Sequence, residues 1–275
     1  MTGRVEGKLA GRVAFITGAG RGLGRSFAVR LAREGADIIA LDTGGTLPGI
    51  PYEQPRAVDL DETVLLVEKE GRRVLPVRRD VRDLEGMRTE VDAAVAELGR
   101  LDVVVANAGI CAPASWDRLS PEQFRATIDI NVTGAWNTVM VGAPHLVRAR
   151  GGSIVLISSA AGLKAHPFMV DYTTSKFALR GMAKAFAAEL ARHHIRVNSV
   201  HPTSVDTPMA GRETQAALDA AMAADHRLGA MFTSMLPGGT THPDDVADTV
   251  VFLASDESRF ITAHELAPDA GVSEM

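Results

Sequence analysis

The sequence predicts a doubly wound α/β sheet of about seven parallel strands with helices on both faces. Three observations carry that expectation. Short Val- and Ile-rich runs alternate with longer segments of helical periodicity. The runs are apolar throughout, as strands covered on both faces require. No internal repeat or low-complexity tail interrupts the rhythm. At 275 residues, with 46% hydrophobic and 23% charged, the chain reads as one domain over 1–275. A core of that size buries roughly three quarters of the unfolded surface. It needs no disulfide or metal to hold it.

The elements follow in order. Residues 13–17 (VAFIT) form the first strand, and Leu23, Phe27 and Leu31 recur at i, i+4 and i+8 to give the next helix one apolar face. Further strands are expected at 37–42, 73–79, 101–106, 153–158 and 195–201, with a seventh near 260–266. A late helix opens with Pro243, Asp244 and Asp245, where a missing N–H and negative charge are favoured. Two stretches break the pattern. Residues 43–61 (TGGTLPGIPYEQPRAVDLD) are too rich in Gly and Pro for a buried element and read as a long inserted loop. Residues 203–241 hold an Ala- and Met-rich helical piece and read as a lid.

The net charge of −5, with basic residues scattered, argues against nucleic acid or an acidic membrane as partner. Cys111 is the only cysteine, so there is no intrachain disulfide. The first residues lack the apolar stretch of a signal peptide, and no apolar run approaches the roughly 20 residues that span a bilayer. A cytoplasmic location is expected.

The first strand ends in Thr17-Gly18-Ala19-Gly20-Arg21-Gly22-Leu23-Gly24 and enters the helix directly. Glycines permit a tight turn and let the backbone approach a pyrophosphate at the positive end of the helix. Asp42 closes the second strand, 24 positions beyond Gly18. A carboxylate there accepts ribose hydroxyls and repels a 2′-phosphate, so a Rossmann-type site for NAD is expected. Arg21 argues the other way, toward a phosphorylated ribose, but Asp42 is better placed to decide. Asp80 and Asn107-Ala108-Gly109 also follow strands, where ligands bind in open α/β sheets. Each is equally a common turn former.

Ser159 stands just past the fifth strand, Tyr172 lies thirteen residues on, and Lys176 four further. Tyr and Lys at i and i+4 share one helical face. A free tyrosine titrates near 10 and is a poor base at neutrality. A neighbouring ammonium is expected to lower that value, and an oxidised nicotinamide would add a second positive charge, giving a general base for a hydroxyl proton while hydride leaves the same carbon. Ser159 would orient the substrate oxygen.

Over nearly its full length the chain resembles the short-chain dehydrogenase/reductase family. The matching residues are Thr17-Gly18, Gly22, Gly24, Asn107-Ala108-Gly109, Asn131, Ser159, Tyr172 and Lys176. The resemblance implies that Asn131 organises a proton relay with Lys176 and that Lys176 holds the nicotinamide ribose. It places Pro202, Val205 and Thr207 by the carboxamide end, and Asp80 and Val81 by the adenine. The insertion with Pro51-Tyr52, the His201-Pro202-Thr203 turn and Ser255-Asp256-Glu257 resemble a carveol-dehydrogenase-like, mycofactocin-associated branch. That likeness implies a retained NAD, regenerated in place by an external redox partner, and a homotetramer. Ala263 stands where the family has glycine, and Thr203 where it commonly has one.

Candidate pocket walls are Ile110, Cys111, Trp116, Phe168, Met209, Met231 and Phe232, nearly all apolar. They suggest a bulky hydrophobic alcohol or ketone. Cys111 reads as a small buried hydrophobe. The histidines show no ligand spacing, so no metal is expected; His166 reads first as a surface-loop residue, with the pocket mouth as the alternative. The alternatives are an NADPH-linked ketoreductase and a non-catalytic NAD-binding module, the latter opposed by an intact Ser159, Tyr172 and Lys176.

Overall fold

The computed structural model describes residues 7–45, 50, 52, 53, 55–223, 225–238 and 240–275. Seven parallel strands form one sheet in the order β3-β2-β1-β4-β5-β6-β7: β1 (Val13–Thr17), β2 (Asp37–Asp42), β3 (Val74–Arg78), β4 (Val103–Ala106), β5 (Gly152–Ile157), β6 (Ile195–Val200) and β7 (Glu265–Leu266). The order reverses between β1 and β4, which opens a crevice at the carboxyl ends of those strands. Every residue of β1, β2 and β4 is buried. Within β1, Val13 and Phe15 enter one apolar cluster while Ala14 and Ile16 enter the other. Alternating side chains thus feed two cores, and this is why the strand sequences show no polar alternation.

One face carries α1 (Gly22–Arg33), α2 (Ala57–Lys69) and α8 (Pro243–Ala254); the other carries α3 (Leu84–Leu98), α5 (Gly134–Arg148) and α6 (Val170–Leu190). Helix α4 (Pro121–Ile128) runs into α5 through a π-helical turn over Asp129–Thr133. Helix α7 (Arg212–Met222) belongs to the 203–241 segment. Among the described residues no helix is long and apolar enough to cross a membrane.

The structure corrects the element readings in two places. The inserted stretch is not loop to its end: α2 begins at Ala57, with the Arg56 N–H donating to Asp59 Oδ2 at 2.7 Å. Residues 46–49, 51 and 54 of that stretch, Pro51 included, lie outside the described residues, as do 224 and 239 of the lid segment. The last strand is only Glu265–Leu266, and Phe260 is exposed. Ala263, which stands where the family has glycine, takes the left-handed conformation (φ 59°) that favours glycine. Its N–H donates to Val197 O at 2.8 Å, so the β6 edge holds it there.

Candidate active site

A cavity of about 600 Å³ opens at the carboxyl ends of the strands. Each of the first six strands delivers residues to it: Gly18 after β1, Asp42 ending β2, Asp80 after β3, Asn107 after β4, Ser159 after β5 and Pro202 after β6. The glycine turn is sterically obligate. Gly18 has φ +68°, and a Cβ on Gly24 would lie 1.9 Å from Gly18 O. Asn107 Nδ2 donates to Thr17 O at 2.9 Å, tying the ends of β1 and β4 together. Helix α1 starts without a side-chain cap and with no acid in its first turn. Its free N–H groups and dipole therefore face the cavity and suit an anion such as a phosphate.

Asp42 is buried, and its Oδ2 accepts from the Gly20 N–H at 2.9 Å. The carboxylate thus also braces the turn. Gly20 does not itself line the cavity; Arg21, Gly22 and Leu23 do. Asp80 reaches the cavity with both oxygens engaged by Arg82 at 2.6–3.0 Å. Burial works to raise its pKa, but the Arg82 contact wins and holds it below the usual carboxylate range. Val81, beside it, is buried and accepts at its carbonyl from Asn137 Nδ2.

At the other end, Tyr172 and Lys176 lie one turn apart on α6, with Lys176 Nζ 5.3 Å from the Tyr172 ring centre. Asp171, which sequence reasoning missed, fixes the start of that helix. It is buried, and Oδ1 accepts from the Tyr172 N–H at 2.8 Å while Oδ2 accepts from Thr127 Oγ1 at 2.8 Å. Lys176 Nζ donates to Ile157 O at 2.9 Å. Burial lowers its pKa to about 8. Tyr172 is half-buried in the cavity wall, and desolvation of its hydroxyl pushes the pKa above that of a free tyrosine, with Ser159 pulling the other way. Desolvation thus opposes the acidifying effect expected of Lys176 and of an oxidised nicotinamide together.

Ser159 is buried, and its Oγ accepts from the Ala161 N–H at 3.1 Å. Behind it stands His201, fully buried, with Nδ1 2.9 Å from Ser159 O and Nε2 2.8 Å from Ser199 Oγ. Asn131 sits in the π-helical turn. Its amide brackets Ile110, accepting from the Ile110 N–H at 2.8 Å and donating to the Ile110 carbonyl at 2.9 Å; it also donates to Ser175 Oγ at 3.0 Å. It does not line the cavity, so its reach to Lys176 is across Gly109, where an added Cβ would meet Asn131 Oδ1 at 3.3 Å and Lys176 Nζ at 3.6 Å.

This geometry can be set beside known proteins. The family model described as short chain dehydrogenase matches residues 12–218. The chain belongs to the short-chain dehydrogenase family. It is 42% identical to (-)-trans-carveol dehydrogenase of Rhodococcus erythropolis, over 97% of this chain and 99% of that one. A short chain dehydrogenase from Mycobacterium paratuberculosis, solved bound to NAD, has 55% identity and a TM-score of 0.96, covering 98% of this chain and all of that one. Carveol dehydrogenase from Mycobacterium avium, solved in complex with NAD, has 41% identity and a TM-score of 0.89, with the same coverage.

Within this short-chain dehydrogenase, most residues expected at the site from sequence do line the cavity. They include Ala108, Gly109, Ile110, Cys111, Val205, Thr207 and Met209. Burial raises the Cys111 thiol to about 12, which removes it as a nucleophile at neutral pH. Phe168 is a correction. Its φ is +63°, its carbonyl accepts from the Ala114 N–H, and the neighbouring Met169 lines the cavity in its place. Trp116 is 83% exposed, and Met231 lines a separate shallow pocket. His166 is corrected in the other direction: it lines the cavity and packs on Phe232, with ring centroids 5.1 Å apart. Burial lowers its pKa to about 4. The structure adds Tyr52, from the inserted stretch, which is buried and lines the cavity. Its hydroxyl accepts from the Cys111 N–H at 3.4 Å, and the Arg21 guanidinium lies 5.9 Å from its ring centre. It also adds Thr214, Leu218 and Met222, whose i, i+4, i+8 spacing was a signal available in the sequence.

Proposed function

We propose that this chain interconverts a bulky apolar secondary alcohol and its ketone with NAD. The observation that carries the reading is that Ser159, Tyr172 and Lys176 line the same cavity as the uncapped α1 terminus and its glycine turn. Gly18, Arg21, Gly22 and Leu23 would hold the pyrophosphate, and Asp42 the adenosine ribose. Asp80 and Val81 would flank the adenine, with Asn107, Ala108, Gly109, Pro202, Val205 and Thr207 along the nicotinamide half. NAD, when bound, supplies the hydride acceptor or donor. Tyr172 gives a proton to the carbonyl oxygen or takes one from the alcohol, and Ser159 orients that oxygen. Lys176 supplies positive charge beside the phenol, and Asn131 positions Ile110 and Gly109 against Lys176.

The finer reading is that NAD is retained and recycled by an external redox partner. Tyr52 supports it, since a buried residue of the insertion reaches over the cavity to the backbone at Cys111. We read 1–275 as one catalytic domain, with 43–61 as the cofactor cover and 203–241 as the substrate lid. We further read the protein as cytoplasmic and tetrameric. The test is to denature the purified protein and identify released nucleotide by mass spectrometry. Near-stoichiometric NAD or NADH supports retention; an empty protein that turns over freely with added NAD removes it. Tyr172→Phe should abolish alcohol oxidation while NADH still binds, and unchanged activity would overturn the catalytic assignment.

A further inference from the structure

His201 is a buried titratable group that the chemistry above does not use. It follows β6, and Ser199 within that strand is buried beside it. Burying an imidazole is costly unless its ring nitrogens are paired, and here both are. Burial also lowers its pKa, so the ring is neutral at neutral pH. The partners decide which nitrogen carries the proton. A carbonyl oxygen can only accept, so Nδ1, 2.9 Å from Ser159 O, is the donor. In a neutral ring Nε2 is then the acceptor, and the Ser199 hydroxyl 2.8 Å away donates to it. Ser199 thereby selects the tautomer that lets His201 grip Ser159.

The grip falls on one peptide group. Ser159 O accepts from His201, while the Ala160 N–H of the same peptide donates to Pro202 O at 2.8 Å. The two groups of a trans peptide point in opposite directions, so holding both fixes its plane. That plane lies between Ser159 Cα and the Ala161 N–H, which donates to Ser159 Oγ at 3.1 Å. Oγ accepts there and keeps its own proton for a second partner. A rotation of the peptide would carry the Ala161 donor, and Oγ with it, away from the Tyr172 side of the cavity. The far end of the brace is anchored too. The His201 N–H donates to Leu266 O at 2.7 Å and the Ser199 N–H to His264 O at 3.0 Å, at β7.

We propose that His201 is a positioning residue for hydride transfer: locked in one tautomer by Ser199, it clamps the peptide after Ser159 and so aims the Ser159 hydroxyl at the substrate oxygen. The inference rests on the oxidoreductase reading above and adds to it a residue that acts through another. Ser159 lines the cavity and His201 does not. Displacing a reacting or orienting group by about 1 Å costs about 100-fold in rate.

The test follows single-turnover oxidation of decalol and of isopropylcyclohexanol at saturating NAD, read as NADH fluorescence appearing on the enzyme. Varying the alcohol separates the rate constant from the half-saturating concentration. His201→Leu removes the donor and should lower the rate constant by about 10- to 100-fold, with the half-saturating concentration moving less than about threefold. His201→Asn places an amide N–H where Nδ1 stands and should recover most of that loss. Ser199→Ala releases the tautomer and should cost about 3- to 10-fold, the worth of one hydrogen bond. On a Ser159→Ala background His201→Leu should add less than about twofold, because its effect passes through the missing hydroxyl. The asparagine rescue decides if the Ser159→Ala rate is too slow to divide further, and Ser199→Ala with His201→Asn decides if His201→Leu does not fold. A histidine that only supports the fold gives a different pattern: a lower melting temperature, unchanged rate constants in the protein that stays folded, and no rescue by asparagine. That pattern, losses that multiply in the double variant, or Ser199→Ala at the wild-type rate overturns the inference and leaves the dehydrogenase reading standing. A wild type that binds NAD and oxidises neither alcohol takes the dehydrogenase reading down, and this inference with it.

Discussion

Lys176→Met tests how the Tyr172 phenol is made to work. The Lys176 ammonium lies 5.3 Å from the Tyr172 ring centre. For charges about 5 Å apart at an effective dielectric near 20, an ammonium and a phenolate attract by about 3 kcal/mol. That energy is worth about two orders of magnitude in phenolate population at a fixed pH. Burial holds the Lys176 pKa at about 8, so the charge is present below that pH and fades above it. Methionine keeps most of the length and apolar stem while removing the charge. The assay is the pH profile of kcat/KM for alcohol oxidation at saturating cofactor. The variant should lose roughly 100-fold near neutrality. The gap to wild type should narrow above about pH 8, because there the wild type loses its ammonium too. A loss that stays constant across the profile would refute the electrostatic argument and leave Lys176 as a binding residue only.

Two further predictions concern the scaffold. Gly24→Ala places a Cβ 1.9 Å from Gly18 O and 2.8 Å from Asn107 Nδ2. Overpacking of that kind costs about 1–3 kcal/mol, which a thermal melt reads as a fall of several degrees. Nicotinamide nucleotide binding should weaken with it, because the same backbone forms the turn. Glu265→Gln should cost acid-sensitive stability. Burial alone would raise the Glu265 pKa, but Arg180 at 2.7 Å and Lys184 at 2.8 Å outweigh it and hold the value at about 2. A depressed carboxylate stabilises the fold above its unfolded pKa and loses that contribution as pH falls through the folded one. The variant should therefore melt lower than wild type at pH 7, by about 1–2 kcal/mol once screening of the half-exposed Lys184 is allowed for. The difference should shrink as the pH is lowered from 4.5 toward 2. A gap independent of pH would place the loss in packing instead.

The parts of this molecule that were legible in sequence are those whose cause is local. The five buried residues of β1, the glycines that follow and the amphipathic face of α1 all write their constraint within a few positions. Tyr172 and Lys176 are visible for the same reason, since one helical turn sets their relation. What escaped depends on distant partners. Asp171 reads as an ordinary first-turn acid until Thr127, 44 residues away, is seen to share it. Phe168 and Met169 are equally plausible wall residues until a positive φ at Phe168 decides which one lines the cavity. At Tyr172 the spacing shows the ammonium and hides the desolvation that opposes it.

That desolvation bears on both directions of the reaction. A neutral phenol carries a proton for a carbonyl oxygen, as any tyrosine does near neutral pH. Taking a proton from an alcohol asks the same phenol to ionise, which its desolvation opposes. A second positive charge beside it would favour the phenolate, and the oxidised form of a nicotinamide carries one while the reduced form does not. The protonation of Tyr172 would then track the redox state of the bound nucleotide.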